Sequence, residues 1–176
     1  MDPLLKAACK GKQDAFARLY DEHHLPLYRF AWRLTGSVAD AEDIVQECFL
    51  ALLRPDCGYD PKRTPLRTYL FGAVRNQAGK RLRGREEATA EPVQPPDLRS
   101  PESEAIRTET SDLVARAIGA LPETQRAALI LSHYEQLAQA EIAEILEIEV
   151  AAVKSRLQRA REALRESLAD FAGRNV

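Results

Sequence analysis

Between residues 86 and 112 the chain carries Pro92, Pro95, Pro96 and Pro101 among Glu, Ser, Thr and Asp, with few large apolar side chains. Proline has no backbone donor and biases the residue before it toward extended geometry. Helix is therefore excluded from most of 91–101, while 102–112 can join a following helix. A stretch that neither sustains hydrogen bonds nor buries apolar surface reads as a flexible linker, so the 176 residues divide into two small units. The expected division is 1–86, a linker over 87–110, and 111–172.

Charge follows the same division. Net charge over the chain is −2, yet residues 1–85 carry +5, 86–112 carry −6 and 113–176 carry −1 by count along the sequence. Two lobes with basic stretches separated by an acidic strip leave room for a polyanionic partner that the overall charge hides. A composition of 45% apolar and 30% charged residues suits a globular chain with a core. No apolar run approaches the roughly 20 residues that cross a bilayer, so no membrane insertion and a cytoplasmic location are expected. Cys9, Cys48 and Cys57 are odd in number and widely spaced, which suits a reducing compartment, and Cys48 falls on an apolar helix stripe. His23, His24 and His133 have no ligand spacing, so no metal site is read. No nucleophile with a base and no glycine-rich phosphate loop is found; no catalytic residue and no cofactor are expected, and the chain reads as a non-enzyme.

Apolar residues recur at three-and-four spacing throughout, and no alternating strand pattern competes, so the fold class is all-α. Phe16, Leu19, Tyr20 and His23 predict one amphipathic helix and Leu27, Phe30, Ala31 and Leu34 another. Gly36-Ser37 ends that run; Ser37 or Asp40 caps the next helix, whose stripe is Ala41, Ile44, Val45, Cys48, Phe49 and Leu52 and which Pro55 stops. Residues 56–65 read as a loop, followed by a helix from Leu66 that ends basic in Lys80-Arg81-Leu82-Arg83-Gly84-Arg85. Beyond the linker, helices are expected at Leu113–Leu121, at Glu123–Tyr134, at Gln139–Leu146, and along the stripe Val153, Leu157, Ala160, Leu164 and Leu168.

Three surfaces carry chemistry. The last helix presents Lys154, Arg156, Arg159 and Arg161 opposite its apolar stripe and follows a short helix after a tight connection, the layout of a helix-turn-helix. The second helix of such a unit enters the major groove, which places Ser155, Gln158 and Arg159 nearest the bases. A solvated helix face is the plain alternative. Residues 75–85 hold five cations and no acid, with Tyr69, Phe71, Asn76 and Gln77 in or beside them. Cations, amides and aromatic faces together suit single-stranded nucleic acid, although basic residues also suit a helix C-terminus. Asp40, Glu42, Asp43 and Glu47 with Gln46 make an acidic edge that equally complements a helix N-terminus.

In their order these segments resemble a known family. Asp40-Ala-Glu-Asp-Ile-Val-Gln-Glu-Cys-Phe49 is similar to the polymerase-binding helix of extracytoplasmic-function sigma factors, group 4 of the sigma-70-like family. Arg67-Thr-Tyr-Leu-Phe71 through Val74-Arg-Asn76 and the basic run resemble their strand-opening segment. Leu121-Pro122, Arg126, Glu141-Ile-Ala-Glu-Ile-Leu146 and Val153-Lys-Ser-Arg156 through Arg161 resemble their upstream-element reader. The resemblance implies a sigma region 2 bundle joined to a sigma region 4 helix-turn-helix, in a transcription initiation factor that binds core RNA polymerase and leads it to promoters, often under stress. It implies that Asp40, Asp43, Gln46 and Glu47 face the clamp helices of the large polymerase subunit. Tyr69, Asn76, Lys80, Arg81 and Arg83, with the 56–65 loop, would take the melted minus-10 strand. Lys154, Ser155, Arg156, Gln158 and Arg159 would meet the minus-35 duplex. An anti-sigma factor is the implied regulatory partner.

The chain departs from the family pattern in places. Tyr69 stands where the family carries Trp, and Lys80 where it carries an acid or amide. Glycine is expected near Gln136 and Glu147, and Ser or Thr near Ala138, Glu149 and Ala152. Glu147 is therefore expected in a left-handed conformation at a cost of roughly 1 kcal/mol or more, and each lost hydroxyl cap costs roughly another 1 kcal/mol. A helix-turn-helix that still forms but, in the free protein, binds duplex weakly or with an altered hinge is the expectation.

Overall fold

The structure is a computed structural model that describes residues 3–89 and 109–172. Most of the predicted linker lies outside the described residues. Among the described residues there are eight helices and no strand: α1 Pro3–Ala8, α2 Gln13–Thr35, α3 Val38–Leu52, α4 Leu66–Thr89, α5 Glu109–Gly119, α6 Glu123–His133, α7 Gln139–Leu146 and α8 Val150–Ala172.

Where two helices are expected over 16–34, the chain forms one, α2, with Pro26 inside it. An interior proline removes one helical hydrogen bond and costs about 3 kcal/mol. Leu27, Phe30, Ala31 and Leu34 lie just beyond it and are fully buried, and their packing holds the helix through the defect. The end of α2 follows the sequence reading. Gly36 turns left-handed at φ 68° and returns its N–H to the Trp32 carbonyl, and Ser37 rather than Asp40 caps α3, its Oγ accepting from the Asp40 N–H at 3.2 Å. The short α1, which no periodicity announces, places Leu5 in the core.

Phe30, Phe49 and Phe71 are fully buried in α2, α3 and α4, with Phe30 and Phe71 edge to face at 5.3 Å between centroids. Their cluster does not stop at the first unit. It continues into Ala127, Ile130 and Leu131 of α6, Ile142, Ile145 and Leu146 of α7, and Val153 and Leu157 of α8. A second, smaller cluster of Ile118, Leu121, Leu129 and Ala160 ties α5 to α6 and α8. The two helical units thus share one apolar seam, with α7 packed on α4 and α6 on α2.

Both glycine-less turns of the helix-turn-helix are real. Gln136 has φ 52° and Glu147 φ 54°. The turn after α7 is of the Schellman kind, with Ile148 N–H on the Ala143 carbonyl at 3.0 Å, while after α6 the Leu137 N–H reaches one residue further back, to the Leu131 carbonyl at 3.1 Å. Leu137 is buried and Ile148 packs against the core, so the hydrophobic contacts beyond each turn hold the strained residue in place. α7 and α8 remain separate helices. Ala138 offers no side-chain cap, but half of a capping box survives, since Glu141 Oε2 accepts from the Ala138 N–H at 2.8 Å.

Two outcomes follow. Gln136→Gly relieves a left-handed side chain that is exposed, and is expected to stabilise the chain by about 1 kcal/mol, a rise of roughly 2–4 °C in Tm by thermal denaturation. Burial in the core pushes the Cys48 thiol up to about 12, with Glu47 adding to it. In the folded protein at pH 8 a thiol reagent should modify exposed Cys9 readily, and Cys48 only when denaturant opens the bundle.

Candidate nucleic-acid and polymerase interfaces

The first site lies on α3, whose buried stripe leaves Asp43, Gln46 and Glu47 on the opposite, exposed face. Asp40 sits deeper, with 17% of its side chain exposed. Leu50, 61% exposed and one turn beyond Gln46 and Glu47, adds an apolar tip to the acidic edge. It escaped the sequence reading because a single leucine off the stripe carries no signal.

Arg81 belongs to this face. Its guanidinium meets Glu47 Oε1 at 2.7 Å, Asp40 Oδ1 at 3.4 Å and Asp43 Oδ2 at 3.5 Å. Arg85 pairs with Asp40 as well. The resemblance places Arg81 with the DNA contacts of α4; in this structure it is committed to the carboxylates of α3. Five residues separate it from Asn76, and at about 100° per residue that is roughly 140° around the helix, which sends Arg81 to the α3 side.

The second site is a cavity of about 540 Å³ at the start of α4 and under the 56–65 loop. Tyr69 and Asn76 both line it, together with Gly58, Asp60, Arg63, Thr64 and Thr68. The Tyr69 hydroxyl donates to the Cys57 carbonyl, which pins the loop to the helix, and its ring lies 5.1 Å from that of Tyr59. Burial, with the nearby Cys57 and Cys48, raises the phenol above its ordinary range, so it stays a donor at neutral pH. Asp60 Oδ1 accepts from the Lys62 N–H at 2.9 Å and shapes the loop tip. Thr64 Oγ1 is buried with no hydrogen-bond partner. Arg63, Thr64 and Thr68 were not singled out in the sequence, since threonine and a loop arginine look ordinary until the fold gathers them. Lys80 and Arg83 are exposed further along α4 and do not line the cavity.

The third site is α8. Lys154, Gln158 and Arg159 are exposed on one face, while Ser155 and Arg156 are half-buried. Gln158 donates to Glu162 at 2.9 Å, and Arg156 Nη1 is buried without a partner. The outer residues of the predicted set are therefore the ones free to reach a groove, and the inner two lie closer to the helix-turn-helix core.

The far wall of the cavity comes from the other unit: Glu144, Ile145 and Glu147 of α7 and its C-terminal turn. Around it, Arg67 Nη2 donates to the Glu135 carbonyl at 3.2 Å and lies 3.6 Å from its carboxylate, and the Arg33 guanidinium sits 4.0 Å above the Tyr134 ring.

The family description Sigma-70 region 2 matches residues 19–87, and Sigma-70, region 4 matches residues 111–164. The chain is 33% identical over 180 residues to the ECF RNA polymerase sigma factor SigW of Bacillus subtilis, covering 95% of this chain and 96% of that protein. It is 37% identical over 159 residues to the ECF RNA polymerase sigma factor SigL of Mycobacterium tuberculosis, covering 87% and 88% respectively. Among solved structures, CnrH in complex with the cytosolic domain of CnrY superposes with a TM-score of 0.70 at 28% identity, over 95% of this chain and 96% of that one. The chain belongs to the ECF RNA polymerase sigma factors, initiation factors that direct RNA polymerase to promoters.

Proposed function

We propose that this sigma factor divides its work as its surfaces suggest. The α3 edge, Asp40, Asp43, Gln46 and Glu47 with Leu50, docks on the clamp helices of the large polymerase subunit. The unit over 1–86 takes the melted minus-10 strand at Tyr69 and Asn76, with Lys80 and Arg83 holding the backbone beside them. The unit over 111–172 reads the minus-35 duplex through Lys154, Gln158 and Arg159, backed by Ser155 and Arg156. Arg81 acts as a positioning residue for the α3 carboxylates rather than as a strand contact. The protein works by binding alone and in the cytoplasm; no described helix is long and apolar enough to cross a membrane.

The observation that carries this reading is the polar cavity that Tyr69 and Asn76 line together. An aromatic face and an amide edge can together receive an unstacked base, and holding that base offsets the few kcal/mol that flipping costs. The cation-rich outer face of α8 supplies phosphate contacts, each of which steepens the salt dependence of duplex binding. Without glycine at 136 and 147, and with Glu149 near the path of the backbone, duplex binding by the free protein is weak. CnrH is solved with the cytosolic domain of CnrY, and a protein partner is proposed for this chain too, the anti-sigma factor that the resemblance implies.

Co-purification with core RNA polymerase tests the reading. Wild type is expected to be retained and Asp43→Arg/Gln46→Ala to be lost. The retained complex should select two spaced elements from a promoter library, and Asn76→Ala should lower open-complex formation by roughly tenfold while retention on core is unchanged, as expected for loss of about 1.4 kcal/mol of strand binding. Failure to associate with core, with sequence-selective duplex binding by the protein alone, would instead make this a free-standing regulator.

A further inference from the structure

We propose that Asp60 and Arg63, together with the Asn76 amide, make the α4 cavity select guanine or cytosine over adenine or thymine at the one base it takes from the strand. This rests on the reading of the cavity as the minus-10 site and names what that site reads.

The 56–65 loop holds the two charges side by side. Asp60 heads a turn in which its carbonyl accepts from the N–H of Arg63 at 3.1 Å and of Thr64 at 3.3 Å, while its Oδ1 accepts from the Lys62 N–H at 2.9 Å. Three residues apart in such a turn, the Asp60 and Arg63 side chains leave on one side, and both line the cavity. One carboxylate oxygen is engaged by the turn, and the other remains to accept from a ligand. Arg63 is exposed and forms no ion pair with a described residue.

The helix supplies the rest. Positions 69, 72, 73 and 76 share the face of α4 that borders the cavity, as Tyr, Gly, Ala and Asn. The two small residues leave a flat floor between the Tyr69 ring and the Asn76 amide. The Tyr69 hydroxyl is already given to the Cys57 carbonyl, so this residue offers a ring face and no edge donor. Asn76 Oδ1 accepts from Arg75 at 2.9 Å, which leaves the amide as a donor. Glu144 and Glu147 border the cavity from α7, and the groups that meet a base edge here all belong to the loop and α4. They are a two-pronged cation, an amide donor and a single carboxylate oxygen.

Bases differ in whether two acceptors stand next to each other. Guanine presents N7 and O6 beside its N1–H, and cytosine presents O2 and N3 beside its N4 amine. Each therefore offers a guanidinium fork two adjacent acceptors, with a donor alongside for the carboxylate. Adenine and thymine alternate, acceptor, donor, acceptor, so a fork set on either meets a donor. An Asn76 whose oxygen is engaged also lacks the paired contact by which an amide reads adenine. Donors set against donors stay unpaired, and that penalty produces the discrimination.

Holoenzyme assembled from core RNA polymerase and the full chain, offered a promoter library randomised across the minus-10 element, tests this. Wild type is expected to select G or C at one position. Arg63→Gln and Asp60→Asn should each lower that preference by roughly tenfold while the other positions hold. Which of the two bases is enriched tells whether the cavity takes a purine or a pyrimidine. Asparagine keeps an oxygen for the Lys62 N–H, so the turn survives the change. Arg63→Lys keeps the charge without the fork and is expected to act as Arg63→Gln does, whereas Lys62→Gln, the comparison for a plain phosphate contact, should weaken all sequences evenly. Selection of A or T by wild type at the position these variants disturb overturns the proposal. So does an Arg63→Lys that selects like wild type, or a loss spread over every position, since either makes Arg63 a phosphate contact. Asp60 and Arg63 variants that select like wild type while Asn76→Ala alters one position overturn the proposal and leave the cavity reading standing. If Asn76→Ala also alters nothing, the cavity reading falls and takes the proposal with it.

Discussion

The guanidinium of Arg126 is 5% exposed and sits where three chain segments meet. Its Nη1 donates to the Gly119 carbonyl at 2.8 Å and the Leu121 carbonyl at 3.2 Å, and its Nη2 to the Leu34 carbonyl at 3.1 Å. All three acceptors lie in the last turn of a helix or just past it, where carbonyls lack an intrahelical donor and the helix dipole is negative. Burial pulls the Arg126 pKa down, yet the cation is held by groups that would otherwise be orphaned. One side chain therefore closes the α5–α6 corner and joins it to the end of α2. That end in turn sets the Gly36-Ser37 turn and the start of α3, so the orientation of the acidic edge depends on a residue of the other unit. Arg85 completes the cap by donating to the Thr35 carbonyl at 3.4 Å.

A second dependence links α3 and α4. The carboxylates read as a polymerase site are already held by Arg81 and Arg85. Exposed ion pairs contribute only about 0–1 kcal/mol each, so the network orders the side chains at little cost and gives way easily to a partner with better geometry. Arg81 thus ties α4 to α3 by reaching three carboxylates from one guanidinium.

Most of the helices were legible because their buried residues are apolar at helical spacing: the stripe from Ala41 to Leu52 is buried in full. The single helix α2 reads as two because its apolar spacing falls into two short runs, and only the burial of Leu27 and Phe30 in the folded core shows that one helix continues through Pro26. The left-handed Glu147 was legible from a missing glycine, because a tight turn imposes the same backbone on whatever residue occupies it. Of the strand-binding set, Tyr69 and Asn76 come together because they lie seven residues apart, two turns on one face, while Arg81 leaves that face by the same arithmetic. What stayed hidden were the contacts between units. Arg33, Arg67, Tyr134 and Glu135 each look like solvated surface in a sequence, and only the fold brings them opposite one another.

Those contacts bear on how the two units come apart. Lys154, Gln158 and Arg159 of α8 are exposed, while Glu144, Ile145 and Glu147 of the second unit form one wall of the α4 cavity. The ionic part of the seam is weak and screened, whereas the apolar part, continuous from Phe71 to Ile145, is not. Separation therefore needs a surface that replaces apolar contact as well as charge.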